Sequence, residues 1–391
     1  MFDDPRWLPL FRLALRTLDL PRRYLPEVPW LSEFVALPDS QLEIGQEFEP
    51  PGERELIHKV IEVLEERHRR EYPAGVRPML RDFHTKAHGC VLAKLKIEPD
   101  LPSEYRYGVF ANPVEYDAVL RFSNGQRPIQ ADQMPTPHGV AIKLFEVPDP
   151  ARPNHRVTQD FLLADFPVNL IGTVADAFEF YQAEAAGKPQ AYFISPLPLR
   201  HHLRAGLIGY LSAETPVHDL FDISYFSQTP YKLGAGNACK YILRPTITPT
   251  PNRGQLPAGD NYLREQMQRR LLASSVSFDF LVQRQLHPVR QPIEDASVEW
   301  REDEAPPRKV ATVVLERYDF ERPFTSPWRQ WCCERISYNP GTTLPDSAPL
   351  GGLNRLRHAV YDQISIMRHR ANGVIRREPN NPDDFVSKTG W

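Results

Sequence analysis

The chain has 391 residues with 41% hydrophobic and 25% charged side chains, which is the balance of a globular protein with one large domain or two ordinary ones. Lysine and arginine (47) nearly match aspartate and glutamate (50), so no basic excess favours nucleic acid as a partner. No apolar run is long enough to cross a bilayer. The acidic start, with Asp3 and Asp4, does not resemble a signal peptide, and we expect a cytoplasmic protein.

The first fifty residues are predicted to form an arm (1–50) ahead of one domain (51–391). One helical face of this arm is apolar: Trp7, Phe11, Leu15 and Leu18. Arg12 and Arg16 occupy the other face. The pattern favours a helix that packs on the body of the protein or on a second subunit, and such an arm makes a homo-oligomer the expected state. The alternative is weak contact with a membrane surface.

Period-two alternation and helical periodicity divide the rest of the chain. A helix is predicted over 53–72, where acidic residues lead and basic residues follow. Strands are predicted over 91–97, 118–123, 139–145, 240–244, 276–282 and 311–316. Further helices are predicted over 175–186, 262–272 and 353–369. Strands segregated from helices predict an α+β fold around an antiparallel sheet or barrel.

The cysteines are too few for a disulfide framework in a chain of this size: Cys90, Cys239, Cys332 and Cys333. The last two are adjacent, which is a poor geometry for a bond between them. We therefore expect free thiols.

Two histidines early in the chain, His84 and His88, lie four positions apart. A zinc site would need two further ligands, and Cys90 has no partner cysteine at a suitable spacing. A histidine also suits acid–base chemistry, because its pKa lies close to neutrality. The structural alternative for His84 is a core histidine at the start of a strand.

An arginine and a tyrosine are one helical turn apart near the end of the chain, at Arg357 and Tyr361. A phenolate binds ferric iron, but free tyrosine titrates near pH ~10, so a nearby positive charge must stabilise the anion. Arg357 can supply that charge. Arg368 lies two turns beyond Tyr361 and can face the same iron-containing ligand. A surface helix with one stacked Arg–Tyr pair would show the same spacing.

Several motifs together resemble the catalase superfamily, in its order and approximate spacing: Arg81-x-x-His84 with Lys86, Arg121-Phe122-Ser123, His138-Gly139-x-Ala141-x-Lys143, and Arg357-x-x-x-Tyr361 with Arg368. The segments 159–163, 292–300 and 349–355 resemble its shorter catalase-related branch of peroxidase-like and allene oxide synthase-type haem domains. The resemblance covers about residues 50 to 375.

The resemblance implies a catalase-like antiparallel β-barrel with surrounding helices, and haem b with its iron buried between the barrel and the helix that carries Tyr361. It assigns His84 as the distal acid–base residue and Ser123 as its hydrogen-bond partner. Tyr361 would be the axial metal ligand, with Arg357 as its charge partner. The remaining cofactor contacts would be three arginines for the propionates and one ring over the haem face: Arg81, Arg121, Arg368 and Phe178, with Phe180 as the competing ring.

Two positions depart from the pattern of the family. Asp165 stands where the family has a distal asparagine, and an ionised carboxylate cannot donate a hydrogen bond to peroxide. Asp165 would also stabilise a protonated His84, or act as a second acid–base group. Phe83 stands where catalases have a small β-branched residue.

These features predict a haem-dependent oxidoreductase that uses hydrogen peroxide or an organic hydroperoxide. Peroxidase chemistry or conversion of a fatty-acid hydroperoxide is favoured over dismutation of hydrogen peroxide. Two alternatives stay open beside it, a true catalase and a non-catalytic haem sensor or store. A structural protein without cofactor is the third.

Overall fold

The computed structural model describes residues 8–24, 41–152, 155–194, 199–249, 254–317, 333–376, 379 and 381. Its helices are α1 Leu8–Tyr24, α2 Glu53–Glu71, α3 Val174–Ala185, α4 Gln190–Phe193, α5 Leu199–Glu214, α6 Tyr262–Ala273 and α7 Gly352–Ala371. Its strands are β1 Ala87–Ile97, β2 Glu115–Asn124, β3 His138–Pro148, β4 Arg156–Ala164, β5 Tyr225–Phe226, β6 Tyr231–Lys232, β7 Ala238–Pro245, β8 Val276–Arg284 and β9 Arg308–Leu315.

The strands form one antiparallel sheet in the order β5-β4-β3-β2-β1-β9-β8-β7-β6. Strand β5 also pairs with β7, so eight strands close into a barrel and β6 adds to the side of β7. Closure pairs the edges that an open sheet would expose. The predicted α+β fold with an antiparallel barrel is confirmed.

Alternation along β2 determines which side chains enter the barrel. Leu120 and Phe122 belong to the main apolar core inside it. Because successive side chains of a strand point to opposite faces, Arg121 and Ser123 lie on the outer face. Polar groups of β2 are thereby presented to the helices that cover the barrel.

Helices α2, α3 and α7 pack on one another outside the barrel through Val60, Leu64, Val174 and Leu356. Helix α3 begins with a capping box, in which the side chains of Thr173 and Asp176 satisfy each other's backbone N–H groups. Arg355 of α7 forms ion pairs with three carboxylates from different parts of the chain: Glu47, Glu53 and Glu294. These contacts fix the position of α7 relative to α2.

Helix α1 packs on α5, as predicted for an arm that contacts the body of the protein. Phe11 and Leu15 of α1 meet Ile208 and Leu211 of α5, whereas Trp7 lies outside the described residues. Helices α4 and α5 and strands β4, β5 and β6 were not predicted as elements. No helix among the described residues is long and apolar enough to cross a membrane.

The prediction of free thiols is wrong for Cys90 and Cys333, which form a disulfide with their Cα atoms 5.7 Å apart. The two cysteines are 243 positions apart, and only the fold brings strand β1 against the segment that starts at Cys333. Cys239 is a buried free thiol, as expected. Cys332 lies outside the described residues.

Candidate active site

A cavity of about 1090 Å³ lies between the outer face of β2–β4 and the helices α3, α5 and α7. Seven of the residues predicted for the site line it: Arg81, His84, Arg121, Ser123, Arg357, Tyr361 and Arg368. Motifs nearly three hundred positions apart in the sequence therefore meet at one cavity. Asp165 and Phe178 do not line it within the part of the chain that the structure describes.

His84 stands on the barrel side of the cavity, where its Nδ1 atom lies 3.0 Å from Ser123 Oγ. Its backbone has φ of 55°, in the left-handed region that non-glycine residues rarely occupy. A Cβ atom on Gly139 would lie only 2.4 Å from His84 Cε1. The imidazole is therefore positioned by its contact with Ser123 on β2, and the ring occupies the space left by the absent side chain of Gly139 on β3.

Burial and, to a smaller extent, the positive charges of Arg121 and Arg357 together lower the pKa of His84 to about 3. The imidazole is consequently neutral at any pH near neutrality. A neutral imidazole has a nitrogen lone pair that can accept a proton from a ligand in the cavity.

Tyr361 and Arg357 face the cavity from α7, and the Arg357 guanidinium carbon lies 5.9 Å from the centre of the Tyr361 ring. Arg357 Nη1 donates to Thr229 Oγ1 at 2.7 Å and to Asn354 Oδ1 at 3.2 Å. Burial alone would lower the pKa of Arg357, but the charge of Tyr361 raises it. The sequence interpretation missed Thr229 and Asn354, which lie outside the i, i+4 pair.

Arg81, Arg121 and Arg368 converge on the segment 333–336. Arg81 Nη2 donates to Cys333 O at 3.0 Å and also to Ile336 O, while Arg368 Nη1 donates to Glu334 O. Each guanidinium keeps a buried nitrogen that has no hydrogen-bond partner among the described residues: Arg81 Nε, Arg121 Nε and Arg368 Nη2. A buried unsatisfied donor is costly, so this arginine cluster suits an anionic ligand.

Asp165 does not occupy the position of a distal amide in the cavity. Its Oδ2 atom lies 2.9 Å from His138 Nδ1, and its backbone N–H donates to His138 O at 3.0 Å across the β3–β4 edge. The strand register thus turns the carboxylate towards His138. Among the amides that line the cavity are Asn169 and Gln228, and Asn169 Nδ2 donates a hydrogen bond to Gln228 Oε1 at 3.0 Å. The sequence interpretation did not include either amide.

Phe180 and Tyr181 of α3 line the cavity, and Phe178 does not. Phe178 and Phe180 both pack against the cluster of α2, α3 and α7. Positions two apart on a helix point in nearly opposite directions, so α3 can present only one of them to the cavity. Phe83 also lines the cavity, with its ring 6.0 Å from that of Tyr181 and 5.3 Å below the Arg67 guanidinium.

A zinc site at His84, His88 and Cys90 does not form. Cys90 is in the disulfide, and His88 Nε2 is 2.6 Å from Asn124 Oδ1. Another group, His68, Glu71 and Asp82, is close enough together to share an ion. Its two carboxylates already pair with arginines, Asp82 with Arg67 and Glu71 with Arg127, which makes it an ion-pair network.

No protein-family model and no curated protein sequence matches the chain. Solved structures do match the chain. A fungal catalase is 16% identical, with 90% of this chain and 73% of that chain covered at a TM-score of 0.53. Catalase A from Saccharomyces cerevisiae is 14% identical, with 88% and 69% covered at 0.56, and a bacterial catalase is 17% identical, with 89% and 66% covered at 0.54. The fold of this protein is therefore catalase-like.

Proposed function

We propose that the protein is a haem-dependent oxidoreductase of the peroxidase or catalase type that acts on hydroperoxides. The observation that carries the proposal is the convergence of three groups on one cavity. They are the neutral His84 on the barrel, the Arg357–Tyr361 pair on α7, and the arginine cluster at the end of α7. These are an acid–base residue, an anionic oxygen donor and an anion site.

The residues present fit haem b. Tyr361 offers a phenolate oxygen, which is one of the axial ligands that proteins use for haem iron. Arg81, Arg121 and Arg368 offer buried N–H groups that have no partner in the part of the chain that the structure describes, and such groups suit two propionates. Phe180 offers a ring for the face of the macrocycle. In this arrangement the metal ligand is Tyr361 alone.

Bound haem iron would supply the centre at which the O–O bond of the peroxide is cleaved. The part of His84 is to accept the proton of the hydroperoxide at Nε2, since Nδ1 is engaged with Ser123, and to return it to the departing oxygen. Arg357 places a positive charge beside the ring of Tyr361. Phe83 and Tyr181 add aromatic rings to the lining of the cavity.

An organic hydroperoxide is favoured over hydrogen peroxide by the lining of the cavity. Ligand pockets are typically ~300–1,000 Å³, and this cavity of about 1090 Å³ lies just above that range, as a cavity that holds both haem and a substrate requires. Apolar side chains line it away from the arginine cluster: Ile129, Val168, Leu170, Ile208 and Val360. Asp165 also fails to supply a distal amide for the smaller substrate.

The test is reconstitution of the purified protein with haem, followed by oxygen release from hydrogen peroxide and consumption of a fatty-acid hydroperoxide in the same sample. We expect consumption of the organic substrate with little oxygen release. Tyr361→Phe should lose the absorption spectrum of a tyrosinate-ligated haem, while Tyr72→Phe, which changes another tyrosine of the cavity wall, should keep it.

The other outcomes separate the alternatives. Rapid oxygen release would identify a catalase. Bound haem without turnover of either peroxide, or of a donor such as guaiacol, would identify a sensor or store. Failure to bind haem, or an unchanged spectrum in Tyr361→Phe, would contradict the proposal itself.

A further inference from the structure

The arginine cluster contains one carboxylate of its own, Glu334. Its Oε1 atom lies 3.4 Å from Arg121 Nη2, and its Oε2 atom is buried without a hydrogen-bond partner in the described part of the chain. Burial alone would raise the pKa of Glu334, but Arg121, Arg81 and Arg368 together lower it. Glu334 is therefore a carboxylate anion at the position where the cofactor's own carboxylates are expected.

The position of Glu334 is fixed by a closed ring of contacts. Cys90 on β1 lies directly opposite Arg121 on β2 in the strand register. Cys90 is bonded to Cys333, Cys333 precedes Glu334, and Glu334 pairs with Arg121. The disulfide thus anchors Glu334 on the same pair of strands that carries its arginine partner.

The charges in this ring define what the site can bind. Three guanidinium groups, which stay protonated in proteins, and one carboxylate leave two positive charges. Arg376, whose charge acts on Arg368, is paired with Asp362 at 2.5 Å and so adds no uncompensated charge. A ligand with two carboxylates would neutralise the cluster, whereas one with a single carboxylate would leave a buried charge, which is costly.

We propose that Glu334 is the internal counter-ion of the arginine cluster: it holds the net charge at a value that two ligand carboxylates neutralise, which stabilises the apoprotein and limits how strongly the cluster prefers a planar cofactor with two carboxylates over its uncharged ester. We also propose that the Cys90–Cys333 bond holds Glu334 in place. This inference rests on the proposed function and concerns the same cavity. Glu334 is a specificity-determining residue in this role, since it acts through the arginines on the ligand.

The experiment uses the apoprotein and iron-free porphyrins, whose binding is followed by fluorescence. The series is protoporphyrin IX with two free carboxylates, its monomethyl ester and its dimethyl ester. The wild-type protein should bind the diacid most tightly and the diester least tightly. Glu334→Gln should raise the ratio of diacid to diester affinity about tenfold, because the cluster gains one net positive charge, and it should lower the melting temperature of the apoprotein, because three buried cations then repel one another.

Two variants serve as controls. Glu334→Asp keeps the charge and should keep the wild-type ratio. Asp165→Asn removes a carboxylate that pairs with His138 and not with the cluster, so it should leave the ratio unchanged. An unchanged ratio in Glu334→Gln, or an equal rise in Asp165→Asn, would overturn the inference.

A separate pair of variants tests the role of the disulfide. Cys90→Ser should shift the ratio in the same direction as Glu334→Gln, since Glu334 loses its anchor, while Cys239→Ser, at a buried free thiol, should not. A wild-type ratio in Cys90→Ser would overturn the anchoring role. Because iron-free porphyrins need neither Tyr361 ligation nor turnover, these results are independent of whether the haem-loaded protein consumes peroxide.

Discussion

At the scale of single residues, His84 gives the clearest dependence on pH. Burial and nearby arginines lower its pKa from 6.5 to about 3 in the folded protein. An ordinary histidine base would lose activity as the pH falls through ~6.5. We therefore expect the initial rate of hydroperoxide consumption by the haem-loaded protein to stay flat from pH 8 to about pH 4.5.

The control for this profile is stability, because the same shift acts on folding. Below pH ~6.5 the unfolded chain binds a proton on this histidine and the folded chain does not, so the free energy of unfolding contributed by His84 falls between pH ~6.5 and ~3. Rates must therefore be read at a temperature where circular dichroism shows folded protein. An acidic limb centred near pH 6.5 in folded protein would contradict a neutral, buried His84.

Gly139 is the second residue whose identity the site requires. Gly139→Ala places a Cβ atom 2.4 Å from His84 Cε1, so the imidazole must move away from Ser123. We expect kcat/KM for hydroperoxide to fall by about tenfold or more, as expected for displacement of an acid–base group. Gly206→Ala, whose nearest neighbour would be at 3.8 Å, should leave kcat/KM unchanged. Equal kinetics in the two variants would show that His84 is not held by this contact.

At the scale of elements, α1 provides a matched pair of leucines. Leu15 is 7% exposed and packs on α5, while Leu13 is 61% exposed on the opposite face. Leu15→Ala should cost about 2–5 kcal/mol of unfolding free energy, as for other buried leucines, and Leu13→Ala should change it by less than ~0.5 kcal/mol. Urea unfolding measures both. Similar midpoints for the two variants would mean that α1 does not dock on α5 in solution.

Helix α3 and strand β5 show which features the sequence pattern could not predict. The α3 helix was predicted within one residue at each end, but its rotation was not, and Phe180 rather than Phe178 reaches the cavity. Periodicity gives the apolar face of a helix, and it does not decide which of two aromatic residues faces a cofactor. Strand β5 has two residues and closes the barrel through pairs with β4 and β7, a segment too short for any alternation to predict.

For the whole molecule, the sequence predicted the barrel and most of the cavity lining. Alternation along β1, β2 and β3 was strong, and the motifs around His84, Arg121 and Tyr361 occurred in a recognisable order. What it could not predict depends on contacts between distant segments. The Cys90–Cys333 bond, the turn of Asp165 towards His138, and Glu334 among the arginines all require the register of the barrel. A homo-oligomer and the boundary at residue 50 stay predictions.

The disulfide also determines how the molecule would carry mechanical load. It joins Cys90 to Cys333, so a pulling force applied at the two chain ends passes through the bond and bypasses the residues between them. Those residues include strands β2 to β9 and most of β1, whereas α2 and α7 lie outside the covalent loop. Tension applied at the chain ends would therefore pull α7, which carries Tyr361 and Arg357, away from the barrel. The disulfide would keep that force off the barrel strands. The helix that carries the proposed metal ligand would therefore separate from the site before the barrel unfolds.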